Sequence, residues 1–261
     1  MATSLQSLRK RHRLRWLGWP GICVDSEEER RVIAEHLSKS LDAVPVFLPE
    51  QIFDAYYEGF SNGTIWPLFH YFPQNAHYDQ KEWEAYQHVN ALFRDRIVEI
   101  LEPGDTLWIH DYHLLLLPQM VRQAVPKARI GFFLHIPFPS SEIFRVLPWR
   151  EQILRGLLGA DLIGFHTHGY ARHFHSSVLR LLGLEQDFGR VTVDDRVVRV
   201  DTFPLGVDVE WPPATASFLV QPVGSRCRCV CFGWRRPRQS PERPVRMKRS
   251  WRQSQSAAVR G

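Results

Sequence analysis

The sequence predicts an α/β protein built on a doubly wound parallel sheet, and three observations carry that prediction. Trp108-Ile-His-Asp-Tyr-His113 and the run from Arg129 to Pro139 each read as a short apolar strand that ends directly in charged or imidazole groups. These strand ends lie about one βαβ repeat apart, which places both at the same edge of a parallel sheet. From Thr106 to Leu182 the pattern alternates strand and helix three times, with near-continuous apolar strands, as expected when both sheet faces are covered. Ligands of open α/β sheets bind at the carboxyl edge, so Asp111 and His135 are the first candidate functional residues.

Taken in order, residues 1–15 are basic, polar and without a period, and are expected to form a loose arm. Trp16 to Gly21 is expected to be a short strand stopped by Pro20-Gly21. Asp25-Ser-Glu-Glu-Glu opens a helix, with Asp25 as N-cap and acids in the first turn where the dipole favours them. Its apolar period runs to about Leu41. Val44 to Leu48 then reads as a strand, and Pro49-Glu50 as the start of another helix. Asn62-Gly63 signals a turn, and the aromatic, proline-broken stretch Trp66 to Pro73 is neither clean helix nor clean strand.

Lys81 to Glu102 carries apolar residues at Trp83, Tyr86, Val89, Leu92, Phe93 and Ile97, a long amphipathic helix ended by Pro103-Gly104. Strands are expected at Thr106–His110, Ile130–Leu134 and Asp161–Phe165, with helices at His113–Ala124, Trp149–Leu158 and Gly169–Leu182. Ser140-Ser-Glu142 caps a further helical start. Val191–Val193 and Val197–Phe203 form a hairpin around Asp194-Asp195.

After Trp211 the hydrophobic period vanishes and Arg, Pro and Ser dominate, so residues 212–261 are expected to be an Arg-rich disordered tail. Its composition resembles translation in a wrong reading frame.

The net charge of +5 divides unevenly along the chain. Residues 1–15 carry five basic residues and no acid, and residues 212–261 carry ten Arg and Lys248 against Glu242, so the body at 16–211 holds −10. An acidic body argues against nucleic-acid binding. Three of the four cysteines cluster in the tail, which gives the body no disulfide framework and suits a reducing cytoplasm. No apolar run approaches the roughly 18 residues of a membrane span. The N-terminus lacks the apolar segment of a secretory signal.

Asp111 between His110 and His113 fits a general base, a metal ligand, a group that hydrogen-bonds a hydroxylated ligand, or simply the N-cap of the following helix. His135, before the stiff Pro137-Phe-Pro139, fits a positioned hydrogen-bonding group. Trp19 is either a core-edge aromatic or a platform for a sugar, and the loop around Trp66–Tyr71 either packs on the sheet or lines a sugar pocket. No metal is expected. His166, His168, His173 and His175 lack the spacing of a zinc site, and Cys227-Arg-Cys-Val-Cys231 has no fourth ligand nearby. Glycine-rich nucleotide loops and a Gly-x-Ser-x-Gly elbow are absent.

Five segments in order carry a family resemblance: Trp66-Pro-Leu-Phe-His-Tyr71, Trp83 to Asn90, Trp108 to Pro118, Arg129 to Pro139 and Ser141-Glu-Ile-Phe144. Together they closely resemble the trehalose-6-phosphate synthases, retaining glycosyltransferases with a GT-B architecture of two Rossmann-like domains. The resemblance runs from about Trp16 to Val209 and implies the N-terminal, acceptor-side half of that fold, here residues 16–211. It implies transfer of glucose from UDP-glucose to glucose 6-phosphate, with no cofactor.

Residue by residue, it implies that Trp19 lies beside the acceptor site and that Tyr71 and Trp83 contact glucose 6-phosphate. Asp111 would hydrogen-bond the acceptor sugar, and His135 would contact the donor glucose near the reacting carbon. Residues 1–15 lack the family's Ser-Asn-Arg-x-Pro strand and glycine-rich loop, and no second Rossmann-like domain follows Trp211. The expectation is therefore an inactive or weakly active truncated chain. The alternative is a non-catalytic sugar-phosphate-binding or regulatory module that forms a homo-oligomer or pairs with a full-length synthase.

Overall fold

The computed structural model describes residues 14–204 and the backbone of residues 227–231. It is an α/β fold with a nine-stranded sheet in the order β2-β1-β9-β3-β4-β5-β8-β7-β6. The strands are β1 (Leu14–Gly18), β2 (Ala43–Pro45), β3 (Thr106–His110), β4 (Arg129–Phe133), β5 (Leu162–Phe165), β6 (Gln186–Asp187), β7 (Arg190–Val193), β8 (Arg196–Thr202) and β9 (Cys227–Cys231). All neighbours from β2 to β8 are parallel, and β7 and β6 add an antiparallel ladder at one edge.

The expected strand at Thr106–His110 is found with those bounds, and β4 and β5 lie within a residue of expectation. Their apolar residues Leu107, Ile109, Ile130, Phe132 and Ile163 are buried, which is why these strands show no alternation in sequence. The hairpin of β7 and β8 also forms, turning at Asp194, whose φ of 50° is left-handed.

Helix α1 (Glu27–Leu41) is capped by Ser26, whose hydroxyl accepts from the Glu29 N–H, and not by Asp25. Strand β1 begins at Leu14, so Leu14 and Arg15 belong to the sheet and not to a loose arm, and Arg15 pairs with Asp42 at 3.0 Å. Residues 1–13 lie outside the described residues.

The Asn62-Gly63 turn does not form. A short α2 (Glu50–Phe53) runs into a π-helical stretch at Asp54–Ile65 and on into α3 (Trp66–Phe69). The residues Tyr56, Phe60 and Ile65 face the core along this run, and their burial overrides the local turn preference.

Helix α4 (Gln80–Ile100) starts at Asp79, which accepts from the Lys81 and Glu82 N–H groups. It buries Trp83, Tyr86, Val89, Asn90, Phe93 and Ile97 on one face. Helices α5 (Leu117–Ala124), α6 (Ser141–Phe144), α7 (Arg150–Leu157) and α8 (His168–Leu182) complete the crossovers.

Strand β9 departs from expectation most. It lies within the stretch read as a disordered tail, yet it sits between β1 and β3, parallel to both. Cys229 is in register with Trp16 on one side and Trp108 on the other. The remainder of residues 205–261 lies outside the described residues.

Candidate functional site

The site forms where β3, β4 and β5 end together. His110 is in register with Phe133, so Asp111 and His135 emerge side by side at the carboxyl edge, with His166 following β5. The Asp111 backbone N–H donates to the Phe133 carbonyl at 2.8 Å. The His110 Nδ1 and His135 Nε2 atoms are hydrogen-bonded at 3.0 Å. The His135 and His166 rings lie 5.8 Å apart. Asp111 and His135 are thus brought together as the sequence predicts.

The backbone at Asp111 is unusual, with φ 75° and ψ 169°. Only glycine adopts this region readily, and another residue held there costs ~1–3 kcal/mol. Its surroundings over-determine it. Asp111 Oδ1 accepts from the Tyr112 N–H at 2.9 Å, capping a 3-10 turn at Tyr112–Leu114. The carbonyls that follow are bound by buried side chains on the helices below. Tyr86 donates to the Tyr112 carbonyl at 2.8 Å, while Tyr56 and Asn90 donate to that of His113. The Leu115 N–H donates back to the Tyr86 hydroxyl at 2.9 Å. The N-cap expected at Asp111 is thus formed, on a 3-10 turn.

Burial controls the electrostatics. Desolvation pushes the Asp111 carboxyl up to about 6, against the downward pull of the Tyr112 and His135 backbone N–H groups. Desolvation, reinforced by neighbouring His166, lowers His135 to about 4. Desolvation and His135 bring His110 to about 3. At neutral pH the edge therefore presents one carboxylate beside neutral imidazoles.

The other predicted residues surround this pair at different depths. Tyr71 is 45% exposed, in the left-handed region at φ 67°. Its hydroxyl accepts from the Ser140 N–H at 2.9 Å, which ties it to the proline-rich loop after His135. Trp19 stacks on Phe53 at 4.4 Å, and its indole N–H donates to the Ile22 carbonyl. A row of rings then continues from Phe53 through Tyr57 and His113 to Tyr112, beside Asp111. Trp83 is different. It is 3% exposed and stacks on Trp149 at 5.1 Å, so its ring packs in the core.

Sequence reasoning missed His110 as a partner of His135, and Phe53, Tyr57 and Asn62, whose side-chain Oδ1 accepts from the Tyr112 hydroxyl. The His-Asp pair at 110–111 was a usable signal for the first. The others join the site through contacts that no local pattern reports. Among the described residues no cluster of three His, Cys, Asp or Glu is arranged to hold a metal ion. His168 instead meets the Thr202 hydroxyl, and His173 meets the Phe138 carbonyl. No helix among the described residues is long and apolar enough to cross a membrane.

Comparison with known proteins identifies the family. The sequence model of glycosyltransferase family 20 matches residues 1–216. A UDP-forming α,α-trehalose-phosphate synthase from Pichia angusta is 46% identical over 215 residues, covering 80% of this chain and 45% of that protein. Synthase A of Dictyostelium discoideum is 52% identical over 193 residues, covering 74% of this chain and 26% of that protein. The chain thus spans less than half the length of these relatives.

Among solved structures, the Burkholderia xenovorans synthase in complex with glucose 6-phosphate superposes with a TM-score of 0.69 at 32% identity, covering 79% of this chain and 46% of that one. The Candida albicans trehalose-6-phosphate phosphatase N-terminal domain gives 0.66 at 33% identity, covering 75% and 48%. The α/β fold with its mostly parallel sheet is the one these synthases share. By sequence and by fold, the chain belongs to glycosyltransferase family 20.

Proposed function

We propose that Asp111 and His135 are the sugar-positioning pair of a trehalose-6-phosphate synthase site, Asp111 for the acceptor glucose 6-phosphate and His135 for the glucose of UDP-glucose. The observation that carries this reading is their meeting at the carboxyl edge, with Asp111 fixed in a backbone conformation that costs energy. The ligands are supported by relatives: one structure holds glucose 6-phosphate, and an E. coli structure is bound with UDP-2-fluoro glucose.

In this reading Asp111, ionised above about pH 6, accepts hydrogen bonds from sugar hydroxyls. His135 stays uncharged, so it orients a hydroxyl without attracting the diphosphate away from its own site. The acceptor hydroxyl oxygen bonds to the anomeric carbon as the bond from that carbon to the UDP oxygen breaks. Attack comes on the face from which UDP departs, which retains configuration, and the leaving phosphate takes the hydroxyl proton. No protein nucleophile is needed, and positioning carries the rate. Tyr71 and Trp19 offer aromatic faces to the acceptor side. Trp83 packs on Phe60 and Trp149 in the core.

The chain alone is expected to bind better than it turns over, because the acidic body supplies little positive charge for a leaving diphosphate. One missing electrostatic contact of that kind costs ~10²-fold in rate. Titration calorimetry with glucose 6-phosphate, paired with an assay of UDP release, tests both halves. Saturable binding with slow or undetectable release is expected. An absence of glucose 6-phosphate binding by folded protein removes the acceptor assignment, and release at rates usual for enzymes removes the weak-turnover one.

A second reading, a sugar-phosphate-binding module that pairs with a full-length synthase, is favoured by two observations. The same fold occurs as a domain of a protein named for phosphatase chemistry. The Saccharomyces cerevisiae relative is named a 56 kDa subunit. Co-purification with a full-length synthase, without turnover by the chain itself, is its expected signature.

A further inference from the structure

His135 is held at three points by the ends of its neighbouring strands. Its ring Nε2 is bound to His110 Nδ1 at 3.0 Å. Its backbone N–H acts on the Asp111 carboxylate, and its backbone carbonyl on the His166 ring. The backbone is therefore fixed from both sides; the ring packs beside Phe133 and His166, and among the described residues its hydrogen bond is to His110. His110 is 1% exposed and, apart from this bond, its Nε2 has no hydrogen-bonding partner among the described residues.

Two neutral imidazoles that share one hydrogen bond must divide their protons in one of two ways. In the first, His110 Nδ1–H donates to His135 Nε2. The buried orphan is then the His110 Nε2 lone pair, and His135 carries its proton on Nδ1. In the second, His135 Nε2–H donates to His110 Nδ1, and the buried orphan is a His110 Nε2–H. Orphaned buried N–H groups are rarer in folded proteins than under-satisfied acceptors. In either case the only ring nitrogen of His135 left for a ligand is Nδ1.

We propose that His110 is a positioning residue that occupies Nε2 of His135 and so presents Nδ1–H as the ligand-facing donor of this site. The role of that donor toward the glucose of UDP-glucose rests on the function proposed above, but the tautomer and its cause do not. A hydroxyl of the sugar would accept this hydrogen bond, and a sugar lacking that oxygen would leave the N–H without that partner.

The test is ¹⁵N-resolved NMR of the imidazoles in the full chain, in the wild type, His110→Asn and His110→Leu. The Asn side chain places a donor near the position of Nδ1, whereas Leu fills the space without one. The wild type and His110→Asn are expected to hold His135 as the Nδ1–H tautomer. In His110→Leu the preference should fall by about fivefold or more, the loss of one hydrogen bond.

A His135 proton on Nε2 in the wild type overturns the assignment. So does an unchanged Nδ1–H preference in a His110→Leu protein that retains a cooperative thermal transition. If His110→Leu does not fold, His110→Asn and the wild type still decide the tautomer. Addition of UDP-glucose separates the two claims: an unmoved His135 resonance with the expected tautomer counts against the donor role and leaves the His110 effect standing.

Discussion

Asp111 joins two costs at one residue, and substitutions can separate them. Its φ of 75° and ψ of 169° store ~1–3 kcal/mol in any residue with a Cβ. Asp111→Gly removes that strain and Asp111→Ala keeps it. After the ~0.5–1 kcal/mol that glycine loses in the unfolded chain, Asp111→Gly should be more stable than Asp111→Ala by ~1–2 kcal/mol.

The second cost is electrostatic. The carboxyl is raised from 3.8 to about 6, so between these values the folded state binds more protons than the unfolded chain. Stability contributed by this group is therefore present below pH 3.8 and lost as pH rises through about 6. The full shift corresponds to ~3 kcal/mol, which partial solvent access at the edge reduces to ~2.

Asp111→Asn removes the titration and keeps a hydrogen-bond acceptor for the Tyr112 N–H. It should gain ~2 kcal/mol over the wild type near pH 7.5 and little near pH 3.5. Urea unfolding followed by tryptophan fluorescence, at several pH values, measures all of these differences. An Ala variant more stable than the Gly variant by ~0.5–1 kcal/mol would show that the backbone is unstrained, and parallel pH profiles for Asn and wild type would show that the carboxyl titrates normally. All three variants should lose glucose 6-phosphate affinity, so stability and binding should move in opposite directions at this residue.

Two further predictions concern the scaffold. Arg122, with its side chain 11% exposed, donates to the carbonyls of Pro126, Ala128 and Gly159 and to Asp161 at 2.7 Å. Arg122→Met should cost ~2–4 kcal/mol in urea unfolding, because three carbonyls lose this donor and Asp161 keeps only the Ile130 N–H and the more distant Arg196, and a loss below ~1 kcal/mol would contradict this. In β9, Cys229→Pro removes an N–H from a strand paired on both sides and should lower stability by ~2–4 kcal/mol. A thermal transition unmoved by this change, with fast amide exchange at residues 227–231, would remove β9 from the sheet.

Legibility in the sequence followed the range of the forces at work. Thr106–His110 was readable to the residue because a doubly covered strand must be continuously apolar. Asp111 and His135 were readable because strand ends in a parallel sheet share an edge. The Asn62-Gly63 signal failed because a turn preference is small beside the burial of Phe60 and Ile65, which keeps the helical run intact. The depth of Trp83 was not readable either, since an amphipathic pattern marks a buried face without saying whether a ring at its end meets a ligand or Trp149. His110, Phe53 and Tyr57 entered the site only through contacts across the fold. Nothing in Cys-Arg-Cys-Val-Cys marks it as a central strand, because the sheet that gives it a place is made elsewhere in the chain.

That placement has a consequence for how the molecule assembles. Strands β1 and β3 have no ladder to each other, and β9, from the other end of the described chain, joins them. Loop-closure entropy grows only slowly with length, so equilibrium tolerates such a connection, but the folding rate suffers from contacts so distant in sequence. Until β9 arrives, β1 and β3 each expose an unpaired parallel edge in the interior of the fold, where edge-blocking charges would be out of place. A folding route that inserts β9 after the other strands leaves that slot open to a strand of a second chain, which favours aggregation over refolding as concentration rises.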